Sequence, residues 1–127
     1  MHTPLHIVRQ WHDALNQGEV EKLVSLVHPD VVVGGPRGST SGAHVVREWF
    51  GRANVRLHPL AYFAREQIVV VEEEGEWIDP ASGEVTGQQR VASAFAVADG
   101  LITRIVRHDQ LEDALSDTGL TLSDRAS

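Results

Sequence analysis

The chain has 127 residues, within the roughly 100–200 residues of a single domain and enough to bury about two-thirds of its unfolded surface without metals or disulfides. It contains no cysteine, which excludes a disulfide scaffold, a thiolate zinc site and a cysteine nucleophile. Its formal net charge is -7 and its arginines are scattered singly, so it lacks the basic face that nucleic acid or an anionic membrane requires.

Residues 3–17 read as a helix: Thr3 as cap, Pro4 at the first helical position and Gly18 after the end, with Leu5, Val8, Trp11, His12 and Leu15 on one stripe. Glu19–Val27 reads as a short second helix, ended by His28-Pro29 because a residue before proline is pushed out of the helical region. Asp30–Val33 is a short β-branched strand. Gly34–Gly42 is a loop by composition, with Ser39, Thr40 and Ser41 as turn and cap residues. Ala43–Arg52 is a third helix with Val46, Trp49, Phe50 and Ala53 on one face.

From Val55 the period becomes that of strands: Arg56–Arg65, where Pro59 implies an edge or a bulge, then Gln67–Trp77, Thr86–Ala98 and Leu101–His108. Asp99-Gly100 is a hairpin turn between the last two. Leu111, Ala114 and Leu115 mark a final helical turn or two ended by Gly119. Residues 1–122 are expected to form one domain and 123–127 a frayed tail. Three helices followed by an antiparallel meander make an α+β fold with the helices on one face of the sheet. No apolar run approaches the ~20 residues that span a bilayer, and the N-terminus lacks a basic segment followed by an apolar one, so the expected compartment is the cytoplasm.

The order of these elements, with the segments "ALNQGEVEKLVSL", His28-Pro29-Asp30, "GAHVVREWF" and "FAVADGLITRIVRHD", resembles the nuclear transport factor 2-like superfamily, especially its SnoaL-like branch. The resemblance implies a cone: a strongly bent sheet wrapped around helices, with a pocket at the open end and a homodimer through the sheet's outer face. Members include steroid isomerases, polyketide cyclases, dehydratases, epoxide hydrolases and proteins without chemistry, so function has to come from the site. The steroid isomerase's base aligns with Gly35 before Pro36, its phenol donor with Trp11, and its second donor falls near Ser93, so all three roles are lost. The cyclases' acid/base aspartate aligns with Arg107, with Asp109 one alternation further on. The same alignment points Thr103, Ile105, Arg107 and Asp109 inward.

Alternation within Gln67–Trp77 puts Glu72, Glu74 and Glu76 on one face, which must be solvated because unpaired buried carboxylates are prohibitively costly. Val69, Val71, Glu73, Gly75 and Trp77 then face the concavity, with Glu73 as its only carboxylate. On the third strand Val91, Ser93, Phe95 and Val97 suit a core. The opposite row of Ala92, Ala94, Ala96 and Ala98 suits a close-packed interface. A one-residue slip would place Arg90 beside Glu73 instead.

These readings converge on a polar cluster of Glu73, Arg107 and Asp109, walled by Trp11, Trp49, Tyr62, Trp77, Ser93, Phe95 and Ile105, in a pocket for a largely apolar small molecule. In a catalytic version Asp109 or Glu73 is the general base and Arg107 orients it or stabilises an oxyanion. In a structural version Glu73 and Arg107 are only an ion pair. A third possibility is an interaction module whose cone is filled by side chains. His12 reads as a satisfied interior histidine. The histidines show no metal-binding spacing, the glycine-rich loop lacks the lysine of a phosphate loop, and no cofactor or metal is expected. Arg37 can reach over the pocket mouth.

Overall fold

Helix α1 (Pro4–Gln17) opens the chain in the computed structural model, which describes residues 3–35 and 38–126. Thr3 caps it by accepting the His6 amide at 3.1 Å, and Gly18 closes it with φ 75°, a left-handed conformation that a residue without Cβ adopts freely. Its buried stripe is Ile7, Val8, Trp11, His12, Ala14 and Leu15. Helix α2 is shorter than expected, Val20–Ser25, because Val27 already begins strand β1 (Val27–Gly35) and Pro29 lies inside that strand. The strand accommodates the proline because its pairing with the neighbouring strand is interrupted between Val27 and Val32.

The stretch expected to be a loop is a hairpin. Strand β2 (Gly38–Ser41) runs antiparallel to β1, with Gly34 opposite Ser39 and Gly35 opposite Gly38. Ser39, Thr40 and Ser41 are therefore ladder residues, and helix α3 (Ala43–Ala53) starts after Gly42 with no side-chain cap. Pro36 and Arg37 lie outside the described residues, and with them the expected reach of Arg37 over the mouth.

Strands β3 (Val55–Arg65), β4 (Ile68–Ile78), β5 (Val85–Ala98) and β6 (Leu101–His108) form the antiparallel meander. Asp99 and Gly100 make its last turn at φ 53° and 80°, and the expected bulge falls between Pro59 and Ala61. β1 joins the meander in parallel against β6, giving the sheet order β2-β1-β6-β5-β4-β3-β7 among the described residues. The last strand, β7 (Arg125–Ala126), pairs with Tyr62 and Phe63 of β3. It follows a 3₁₀ turn over Leu122–Asp124, held by a capping box between Thr121 and Asp124. The residues expected to fray thus carry structure as far as Ala126, and Ser127 lies outside the described residues.

The register settles the β5 alternatives: Glu73 lies opposite Val91, and Arg90 opposite Glu74. Val69, Val71, Val91, Phe95, Val97, Ile102 and Ile105 pack with α1, α2 and α3 on the inner face. On the outer face Ala92 and Ala94 join Ala61, Phe63 and Val70 beneath helix α4 (Leu111–Thr118), which contributes Ala114 and Leu115. The alanine row is thus closely packed, but its centre is covered by the chain's own α4. Ala96 and Ala98 stay half-buried beside it.

Candidate functional site

A cavity of about 670 Å³ lies against the inner face of the sheet, within the ~300–1,000 Å³ of small-molecule sites. α1 supplies Trp11, α3 supplies Val46 and Trp49, β4 supplies Gly75 and Trp77, β5 supplies Val91 and Ser93, and β6 supplies Ile105. Gly34, Gly35 and Gly38 of the β1–β2 hairpin complete the mouth, which the expected loop did not foresee. Trp11 and Trp49 stack with centroids 6.3 Å apart and planes 13° apart, presenting parallel aromatic faces. Gly75 creates room: a Cβ there would stand 3.3 Å from the Gln89 carbonyl oxygen and 3.6 Å from the Trp77 ring.

Arg107 and Asp109 line the cavity at its rim, half-exposed, with Arg107 Nη2 and Asp109 Oδ1 3.7 Å apart. Glu73 is brought elsewhere. It is fully buried behind the wall, paired with His12 and not with Arg107. The expected three-residue cluster is therefore two groups: an exposed Arg107–Asp109 pair and a buried Glu73 pair. Thr103, aligned inward, instead sits at the irregularity of the β5–β6 ladder and donates to the Ala96 carbonyl at 3.3 Å.

The buried group is a chain of hydrogen bonds whose direction can be followed. The Val8 carbonyl can only accept, so His12 Nδ1, 2.9 Å away, carries a proton and donates it. His12 Nε2 faces Glu73 Oε2, and Ser93 Oγ donates to Glu73 Oε1 at 2.7 Å. His12, Glu73 and Ser93 are 1%, 0% and 4% exposed, so each satisfies the others where water cannot. Trp11, Tyr62 and Phe95 surround the imidazole with edge-on rings at 5.2, 6.4 and 5.6 Å.

Of the expected wall, Trp11, Trp49, Trp77, Ser93 and Ile105 do line the cavity. Phe95 lies behind it, edge-on to Trp11 at 5.3 Å. Tyr62 stands on the far side of His12, under the Arg9 guanidinium at 4.9 Å. Burial raises the Tyr62 phenol above its ordinary pKa, opposed by the positive charge of Arg9. His12 is the interior residue the helical stripe implied, and its pairing with Glu73 is not encoded in that stripe. The available signal was one histidine on the apolar stripe of α1 and one carboxylate on the apolar face of β4. The Trp11 indole N–H is buried without an acceptor among the described residues.

Among the described residues no group of three His, Asp or Glu side chains converges as a metal site, and no helix is long and apolar enough to cross a membrane.

The fold recurs in solved structures. A nuclear transport factor 2-like protein of unknown function from Cytophaga hutchinsonii superposes with a TM-score of 0.74 at 13% identity, over 89% of this chain and 95% of its own. A protein from Xanthomonas campestris assigned to the polyketide cyclases gives 0.71 at 20% identity, over 89% and 94%. One from Kribbella flavida assigned to the ketosteroid isomerases gives 0.69 at 17% identity, over 80% and 73%. No curated protein sequence matches the chain. The SnoaL-like domain model matches residues 8–105, and the chain belongs to that family.

Proposed function

We propose that this protein binds a flat, largely apolar small molecule in the cone, with the ligand's polar end at Arg107. The observation that carries this reading is the cavity of about 670 Å³ walled by Trp11, Trp49 and Trp77, with few polar side chains among its described lining. Aromatic faces with a small number of placed polar groups hold planar ligands by stacking and burial, and the polar groups fix orientation. Arg107 is a donor-only cation, so it suits a carbonyl or anionic oxygen at the mouth.

Calorimetric titration with naphthol, a flat probe that fits the volume, tests this. Saturable one-to-one binding, weakened about tenfold by Trp49→Ala through the lost stacking area, is expected. Absence of binding at millimolar probe would end the reading.

The catalytic reading, a cofactor-free lyase, isomerase, cyclase or hydrolase, is favoured by one observation: Asp109 is the carboxylate among the described lining residues, beside Arg107. Asp109 is then the general base and Arg107 its orienting or oxyanion-stabilising partner, while Glu73 acts only through Ser93. Unchanged turnover of an identified substrate in Asp109→Asn would end it. A homodimer would use the outer sheet face that α4 leaves open around Ala96 and Ala98, which sedimentation of the full chain would test.

A further inference from the structure

Among the described lining residues Ser93 is the one that bears a hydroxyl, and its one proton is already committed. Oγ donates to Glu73 Oε1 at 2.7 Å, inside a site that is 0% exposed at the carboxylate. The commitment does not depend on where the proton between His12 and Glu73 resides. With that proton on His12 Nε2, Glu73 is a carboxylate and both its oxygens accept. With it on Glu73 Oε2, Oε1 is the carbonyl oxygen and still accepts. His12 cannot relay a reversed direction, because its Nδ1 proton is held by the Val8 carbonyl at 2.9 Å. Ser93 therefore offers the cavity lone pairs and no proton.

From this polarity we infer that the cavity selects its ligand by a hydrogen-bond donor: the wall at Ser93 takes a hydroxyl or N–H group and turns away carbonyl, ether and anionic groups. The inference deepens the binding reading proposed above and rests on it. Arg107, the direct cross-strand neighbour of Ser93, presents the opposite chemistry, donors only. The two residues thus read two different groups on one ligand. A donor is received at Ser93 and an acceptor at Arg107, with the apolar body between the tryptophans. The ligand class is a hydroxylated planar compound, a phenol or enol with a carbonyl or carboxylate nearby, rather than a plain hydrocarbon or a ketone without a hydroxyl. Val8, His12 and Glu73 are positioning residues in this scheme, since they fix which way the Ser93 proton faces and do not line the cavity.

Titration calorimetry on the full chain with three probes of one shape, naphthol, methoxynaphthalene and naphthalene, tests the inference. Naphthol is expected to bind about tenfold more tightly than the other two, the weight of one net hydrogen bond. That gap is expected to close in Ser93→Ala and to shrink in Ser93→Cys, whose thiol is a weak acceptor and which keeps the side chain's shape if the alanine variant does not fold. Three probes binding with equal affinity, or methoxynaphthalene binding best, would overturn donor selection and leave the binding reading standing. A gap that persists in both Ser93 variants would also overturn it. Failure of all three to bind would remove the binding reading, and this inference with it.

Discussion

His12 Nε2 meets Glu73 Oε2 inside the cone, with both side chains closed to solvent and the imidazole's other nitrogen held by the Val8 carbonyl. Breaking a buried pair by removing one partner leaves a polar group that nothing compensates. His12→Ala is therefore expected to cost about 3–5 kcal/mol of stability. Glu73→Gln is expected to cost clearly less, because its amide N–H can donate to a neutral Nε2 while its oxygen still accepts from Ser93. Urea unfolding of the two variants checks this. Equal losses would contradict the proton assignment at Nδ1.

Tyr62 is the only tyrosine, so its ionisation can be followed directly by phenolate absorbance. Burial raises its pKa and Arg9 pulls the other way, so the midpoint is expected above the ~10 of a free phenol and higher still in Arg9→Met. A group whose folded pKa is raised stabilises the fold fully below the unfolded value and loses that contribution as pH rises through the folded one. A midpoint at or below that of a model tyrosine would sink the prediction.

Glu76 behaves in the opposite sense. Hydrogen bonds from Gln88 and His58 lower its carboxyl pKa, so its contribution is present above the ordinary carboxylate range and lost as pH falls through the lowered value. Glu76→Gln is expected to flatten the acid limb of thermal unfolding between those two pH values. An unchanged acid limb would show that the exposed cluster contributes nothing.

Gly75→Ala places a methyl group 3.3 Å from a strand carbonyl and 3.6 Å from the Trp77 ring. The strand carbonyl is tied into the ladder and cannot swing aside, so overpacking against it is expected to cost about 1–3 kcal/mol, and the added methyl group to narrow the cavity. The melting temperature and the naphthol affinity are expected to fall together. Unchanged affinity with a lowered melting temperature would mean that Trp77 does not shape the pocket.

The sequence makes the strands of the meander legible because their alternation is enforced by burial: three glutamates on one face of β4 cannot all be inside, so Val69, Val71 and Glu73 must be. Helix α1 is legible from its cap, its proline and its closing glycine. The β1–β2 hairpin is not, since its residues are small, and a strand of Gly and Ser carries no hydrophobic period to distinguish it from a loop. The site divides along the same line. The tryptophans and Arg107–Asp109 follow from face and resemblance, but a pairing between residues 61 positions apart, His12 and Glu73, depends on how α1 crosses the sheet, which no local pattern encodes. The burial of Ala92 and Ala94 beneath α4 is invisible for the same reason.

The central claim is that the cavity is a ligand site, and co-crystallisation with naphthol at neutral pH tests it most directly. The expected result is the ring system lying against Trp11, Trp49 and Trp77, with its hydroxyl on Ser93 Oγ. A cavity closed by collapsed tryptophan side chains, or naphthol found only on the outer surface, would contradict it.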